Sequence, residues 1–349
     1  MNIAIDGYEA NVANRVGIGR YAYEILVHLY PLASRQNVTV FLPSTARSDM
    51  PAENTNWHYK IVGPARLWTF VGLPLALRRE TFDVVFSPTH YIPRFITIPR
   101  VMSIMDVSYL EYPAMFRKKD LYQLTTWTAY SVHKAAKILT ISEFSKNAII
   151  KAYGVNPEKI AVTYPGLTMK TATKKSTYTN YILTVGTLQP RKNYVRLIEA
   201  FSKLDSSLTL VIVGKKGWLY EDILAAPEKF GVQQRVKFLE FVPDSDLSAL
   251  YKDARCFVLP SLYEGFGLPV LEAMAYGCPV VVSNVSSLPE IAGKAGIYVD
   301  PTSIESIAKG LREGLSTKNT EAARRQVKKF SWEKAAQDTL KVLEEVGKK

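Results

Sequence analysis

Cysteine and histidine are scarce in this chain, at two and four of 349 residues. Cys256 and Cys278 stand singly, so they are expected as small buried residues rather than a disulfide, and no paired Cys or His spacing suggests zinc. No stretch approaches the ~20 apolar residues that cross a bilayer. Met1 is followed at once by the strand-like Asn2 to Asp6, not by a basic segment and an apolar signal core, so the expected location is the cytoplasm. The Gly17-Ile18-Gly19-Arg20-Tyr21 turn lacks the third glycine of a dinucleotide fingerprint, and no P-loop Lys-Ser or Lys-Thr is present. A nicotinamide or ATP site is therefore not supported.

Positive charge is plentiful, with a formal net of +12. It is spread evenly: 18 Lys and Arg against 12 Asp and Glu in residues 1–167, and 26 against 20 in residues 168–349. No recognised nucleic-acid module accompanies the surplus, so nucleic acid is not an expected partner. The distribution suits anionic small molecules, an anionic membrane surface, or a merely solubilising exterior.

The length allows about two domains with separate cores. Val- and Ile-rich runs recur at Asn2 to Asp6, Val38 to Pro43, Asp83 to Pro88, Val101 to Asp106, Lys137 to Ser142 and Ile160 to Tyr164. Helical patterns such as Tyr21 to Leu32 and Glu143 to Tyr153 separate them, an alternation that predicts an α/β domain with a parallel sheet covered on both faces. A polar interval, Thr168 to Thr179, contains Lys170, Lys174 and Lys175 and reads as a linker. The alternation then resumes at Tyr181 to Val185, Leu208 to Gly214, Val236 to Val242, Cys256 to Pro260, Pro279 to Val285 and Ile297 to Asp300. The expected boundaries are 1–167, 168–329 and a terminal amphipathic helix within 330–349, with apolar residues at Trp332, Ala336, Leu340, Leu343 and Val346.

The stretch from Glu264 to Glu272, EGFGLPVLE, has the strongest chemical content. Gly265 and Gly267 let backbone approach a ligand, and Pro269 fits the first turn of a helix whose amides would face a phosphate. Glu264 can reach sugar hydroxyls beside that phosphate. Glu272, about one turn into the helix, can accept hydrogen bonds from a ribose. A second cluster, Gln189-Pro190-Arg191-Lys192-Asn193, follows a strand and opens a helix, so Arg191 and Lys192 can neutralise a diphosphate.

The spacing Glu264 to Glu272 matches the E-x7-E motif of retaining glycosyltransferases, and EGFGLPVLEAMAYGCPVVVS resembles glycosyltransferase family 4. The likeness runs from Gly17-Ile18-Gly19-Arg20-Tyr21 to Phe330-Ser331-Trp332-Glu333-Lys334. It implies a GT-B architecture, two Rossmann-like doubly wound domains facing a central cleft, with the terminal helix crossing back to the first domain. It further implies a donor site from Arg191, Lys192, Glu264, the Gly265, Phe266, Gly267 and Leu268 turn, and Glu272. Gly19 is expected to lie over the donor phosphates, and Asp106 to match the acid of the family's His-Asp loop. Three positions depart from the family: Thr187 stands where an arginine often follows the strand glycine, Met105 replaces the histidine, and Glu240 stands where many relatives have glycine. The second change suits a donor with a less polar sixth carbon, or a water and Asp106 supplying the contact.

Asp244-Ser245-Asp246 resembles the paired acids of metal-dependent transferases of another fold. Its place before Leu247 to Tyr251 favours helix capping instead. The resemblance therefore implies a metal-independent, retaining hexosyltransferase with catalytic residues Asp106, Lys192 and Glu264. No cofactor is expected beyond a nucleotide-diphosphate sugar donor. The wording Gly-Thr-Leu-x-Pro-Arg-Lys-Asn is similar to mannosyltransferases of bacterial surface polysaccharide assembly, which suggests mannose from GDP-mannose and a saccharide or lipid-linked saccharide acceptor. A UDP-sugar donor, a non-catalytic nucleotide-sugar sensor and a GT-B epimerase are the alternatives. Met115 to Lys137, with Phe116, Tyr122, Trp127 and Tyr130 beside Arg117, Lys118 and Lys119, could rest on an anionic bilayer or could be core. Among the histidines only His90 is placed for a ligand, with a structural role favoured.

Overall fold

A computed structural model describes residues 1–169, 175–240, 242–318 and 320–348. Lys170 and Lys174 of the expected linker, and Phe241 of an expected strand, lie outside the described residues. The chain divides into two units, one of residues 1–110, 118–166 and 331–349, the other of residues 111–117 and 167–330.

The first unit holds a seven-stranded sheet: β1 (Asn2–Asp6), β2 (Asn37–Leu42), β3 (Trp57–Ile61), β4 (Val84–Ser87), β5 (Arg100–Ile104), β6 (Lys137–Thr140) and β7 (Ile160–Val162). Their order is β3-β2-β1-β4-β5-β6-β7 and every pairing is parallel. The edge strand β3 stands outside the series of Val- and Ile-rich runs, and in the sequence it shows only as a strand-like segment around His58. Its residues Trp57-His58-Tyr59-Lys60-Ile61 are mostly exposed or half-buried, so the continuous apolar run that marks β4, buried throughout, is missing there.

The second unit holds β8 (Tyr181–Val185), β9 (Thr209–Val213), β10 (Val236–Leu239), β11 (Cys256–Leu259), β12 (Val280–Ser283) and β13 (Gly296–Val299). The order is β10-β9-β8-β11-β12-β13, again all parallel. Val280-Val281-Val282-Ser283 is buried at every position, the pattern of a strand with helices over both faces. Cys256 and Cys278 are free and buried, and burial pushes both thiols up, Cys256 to about 12.

Local signals set the helices. Ser142 accepts from the Ser145 amide at the start of Glu143–Tyr153, and Gly154 ends that helix at φ 63°, a left-handed stop that glycine adopts without strain. The final helix, Trp332–Gly347, is capped by Ser331 and buries Ala335, Ala336, Thr339, Val342, Leu343 and Val346. It packs in the first unit, where Trp332 meets the Tyr21 ring at 6.1 Å and stacks on His28 at 6.4 Å. Gly166 passes so near that an added Cβ would lie 2.0 Å from the Trp332 nitrogen.

Candidate functional site

In each sheet the strand order reverses beside the first strand of the unit, between β1 and β4 and between β8 and β11. At such a reversal the loops beyond the carboxyl ends of the two neighbours diverge and leave a crevice for ligand. In the second unit those loops are Gly186 to Lys192 and Ser261 to Gly267.

They join through a buried ion pair. Lys192 Nζ lies 2.6 Å from Glu264 Oε1, and Arg191 Nη1 lies 3.3 Å from Glu264 Oε2. Lys192 and Glu264 are only 7% and 6% exposed, which places their attraction in a low dielectric. The backbone is fixed around them. Arg191 also donates to the Tyr263 carbonyl at 2.8 Å, and the Leu262 amide donates to the Arg191 carbonyl at 2.8 Å. Asn193, at φ 62°, donates to the Pro260 and Pro301 carbonyls at 2.9 and 2.7 Å. Gly186 makes room for the lysine: a Cβ there would sit 3.0 Å from the Tyr194 hydroxyl and 3.2 Å from Lys192 Cε.

Burial alone would push the Glu264 carboxyl up, but the Lys192 and Arg191 charges, with the hydrogen bond from Lys192, hold it below its ordinary value. Glu264 is therefore an anion at neutral pH, able to accept hydrogen bonds.

The Glu264 to Gly267 turn is held from behind by residues that the sequence reading did not single out. Ser287 Oγ donates to the carbonyls of Glu264 and Phe266, at 2.9 and 2.8 Å, and the Glu264 amide donates to Ser286 Oγ at 3.1 Å. In a trans peptide the C=O and the following N–H point in opposite directions. Tying those two carbonyls to Ser287 thus aims the Gly265 and Gly267 amides the other way. Gly267 itself stands at φ 101° as the cap of Leu268–Ala275, with Pro269 in the first turn. The expected helix at Pro269 is present, and Phe266 is buried, meeting the Phe330 ring at 5.6 Å. Glu272, one turn into that helix, accepts from the Tyr251 hydroxyl at 2.7 Å.

Asp106 and Gly19 lie in the first unit. Asp106 follows β5, and its Oδ1 accepts from the Ser108 amide at 2.9 Å and the Ser108 hydroxyl at 2.6 Å, opening the single turn Ser108–Glu111. The preceding residue is fixed too: the Met105 amide donates to His90 Nε2 at 3.2 Å and its carbonyl accepts from Ser145 Oγ at 2.9 Å. A histidine therefore stands beside this loop after all, supplied by the segment after β4 instead of by position 105. Burial lowers the His90 pKa while the Asp106 charge works against that shift. Gly19 is buried in the first turn of Ile18–Leu29, where a Cβ would meet the Glu9 carbonyl at 3.1 Å. Its small size thus answers to packing inside the unit. Arg20 pairs with Glu24 at 2.6 Å along the helix surface.

One local expectation is adjusted. The cap of Asp244–Asp253 is Pro243, so Asp244 and Asp246 occupy the first turn, where their charge favours the helix dipole without side-chain capping. Lys216 pairs at the surface with Glu240, at 2.9 Å. Within Met115 to Lys137 several aromatic rings are packed in protein: Phe116 against Trp218 at 5.7 Å, Trp127 against Phe70 at 4.7 Å, and Tyr130 beneath the Arg94 guanidinium at 4.1 Å. Tyr122 is exposed, as are Arg117, Lys118 and Lys119. No helix among the described residues is long and apolar enough to cross a membrane.

Comparison with known proteins agrees with this architecture. Residues 16–170 match the model for Glycosyltransferase Family 4, and residues 168–331 that for glycosyl transferases group 1. O-antigen chain mannosyltransferase B of Escherichia coli is 31% identical, over 93% of this chain and 94% of that protein. The MMP alpha-(1->4)-mannosyltransferase of Mycolicibacterium hassiacum is 30% identical, over 86% of this chain and 80% of its own. Among solved structures, sucrose-phosphate synthase from Thermosynechococcus elongatus superposes with a TM-score of 0.76 at 16% identity, covering 99% of this chain and 98% of that one. WaaG, a glycosyltransferase involved in lipopolysaccharide biosynthesis, gives 0.73 at 21% identity, covering 98% and 99%. These two share the GT-B fold with this chain. By its family models and its curated relatives, the chain is a hexosyltransferase and belongs to glycosyltransferase family 4.

Proposed function

We propose that this enzyme transfers mannose from GDP-mannose to a saccharide or lipid-linked saccharide, with retention of anomeric configuration and without a metal, in surface polysaccharide assembly. The observation that carries this reading is the buried Lys192–Glu264 pair, with Arg191 beside it, at the turn that opens Leu268–Ala275. The printed activities of the bacterial relatives support the choice of mannose.

Transfer breaks the bond between the anomeric carbon and the β-phosphate oxygen, and negative charge grows on the departing diphosphate. Lys192, Arg191 and the amides of the Gly265 to Leu268 turn offset that charge, the work that a divalent ion does in other transferases. Glu264 accepts hydrogen bonds from the sugar hydroxyls, and Glu272 from the ribose. The acceptor oxygen attacks from the face that the phosphate leaves, and the departing phosphate oxygen takes its proton, so no dedicated base is required. Gly19 is assigned to the donor phosphates and the acceptor, and Asp106 to the transferred sugar. Exposed Tyr122 with Arg117, Lys118 and Lys119 is assigned to contact with an anionic membrane presenting the acceptor, which would make the enzyme a cytoplasmic, peripheral one.

A donor panel with lipid-linked saccharides, read by mass spectrometry and by anomeric NMR of the product, tests the reading. Acceptor-dependent GDP release from GDP-mannose in the presence of EDTA, giving an α-linked product, is the expected result. Consumption of a UDP-sugar alone would replace the donor assignment, and binding without turnover would make the protein a sensor. Loss of transfer with EDTA would restore a metal. Co-sedimentation with anionic vesicles at low salt and release at high salt is expected; no binding at either salt ends the membrane assignment.

A further inference from the structure

Tyr251 is a buried phenol with no part in the mechanism above. It lies on Asp244–Asp253, is 1% exposed, and donates its hydroxyl to Glu272 Oε2 at 2.7 Å. Burial and the adjoining Glu272 carboxylate push its pKa far up, so it remains a donor at any working pH. Its ring cannot turn aside. It stacks on Tyr276 with centroids 5.9 Å apart and planes 5° apart, and meets Phe257 at 5.8 Å. Tyr276 is fixed in turn, its hydroxyl donating to Ser248 Oγ at 2.8 Å, while Ser248 donates to the Asp244 carbonyl at 2.8 Å.

Glu272 begins one helical turn beyond Leu268 on the same helix face. One turn advances about 5.4 Å, comparable to the step from a diphosphate to the ribose that carries it. A glutamate with three side-chain torsions loses much freedom on binding unless it is held beforehand. We propose that Tyr251 is a positioning residue: it fixes the carboxylate plane of Glu272 so that the acid meets the ribose hydroxyls of the donor. This rests on the nucleotide-sugar reading of the site and adds to it a named source of ribose selectivity.

The test compares guanosine and uridine diphosphates with their 2′,3′-dideoxy forms by titration calorimetry. Wild type is expected to prefer the ribose form of at least one base by roughly tenfold or more, the scale of a charged hydrogen bond. Tyr251→Phe should lose about that factor for the ribose form and bind the dideoxy form within about twofold of wild type, because that ligand never made the contact. Tyr276→Phe, which leaves the Tyr251 hydroxyl in place, should keep the preference. Tyr251→Met, filling the same space with a flexible apolar chain, serves if the phenylalanine variant is unstable. Equal weakening of both ligand forms, or unchanged preference in the Tyr251 variants, overturns the inference and leaves the diphosphate site standing. A wild type that binds these diphosphates without preference also overturns it. A wild type that binds none of them overturns the nucleotide-sugar reading as well.

Discussion

Replacing Lys192 with methionine keeps most of the side-chain volume and removes the charge 2.6 Å from Glu264. The glutamate, 6% exposed, is then left with Arg191 at 3.3 Å. Removing one partner of a buried pair typically costs about 3–5 kcal/mol; with the arginine still present, ~2–3 kcal/mol is expected here. For a unit of this size that corresponds to a fall in melting temperature of roughly 4–12 °C. Glu264→Gln alone takes the carboxylate charge from the lysine instead. The double variant removes both charges, so its loss should fall short of the summed single losses by ~1.5 kcal/mol or more. The pH dependence has a fixed sign. Because the folded-state pKa of Glu264 lies below its ordinary 4.5, the pair's stabilisation is present above pH 4.5 and disappears as pH falls through the depressed value. Lys192→Met should therefore lose more stability relative to wild type at pH 7 than at pH 3.5. Urea unfolding at both pH values, with single-turnover transfer at pH 7, measures all of this. Strict additivity in the cycle, or full transfer activity in Lys192→Met, would refute the electrostatic account.

Three further outcomes follow from the same geometry. Ser287→Ala frees the Glu264 and Phe266 carbonyls and should cost about 1–3 kcal/mol, with weaker nucleoside diphosphate binding by calorimetry; unchanged affinity would show that the turn holds its shape unaided. Gly186→Ala introduces a Cβ against Tyr194 and Lys192 and should lower kcat by about tenfold or more through the displaced lysine, which steady-state assays read directly. Asp6, fully enclosed with its carboxyl pushed up to about 6 by burial, favours its protonated form, so its contribution to stability fades as pH rises through 6. Asp6→Asn should therefore gain ~1.5 kcal/mol relative to wild type on going from pH 5 to pH 8; a flat difference between these pH values would show that the acid is not perturbed.

The two sheets are legible in the sequence because parallel strands covered on both faces must be apolar throughout: Val280 to Ser283 and Val84 to Ser87 leave little other choice. The edge strand Trp57–Ile61 gives only the fainter signal of a strand-like segment around His58, because one side of it meets no neighbour and needs no such run. At the site, Arg191, Lys192 and Glu264 could be named from residue type and strand-end position. Ser287 and Tyr251 could not, since what marks them is contact with residues 21 positions or more away. His90 shows the same limit. The chain order places Met105 next to Asp106, while the fold brings an imidazole to that loop from 15 residues upstream.

The return of Trp332–Gly347 to the first unit has a consequence for biosynthesis. Its buried face, from Trp332 to Val346, closes over elements made from the first 166 residues, reaching as far as Met1 and Asp83 beside Gly347. A ribosome must therefore complete the second unit before the first can finish its own core. Until then the nascent N-terminal half carries an uncovered apolar surface, and deleting the last helix should damage the half of the protein that was synthesised earliest.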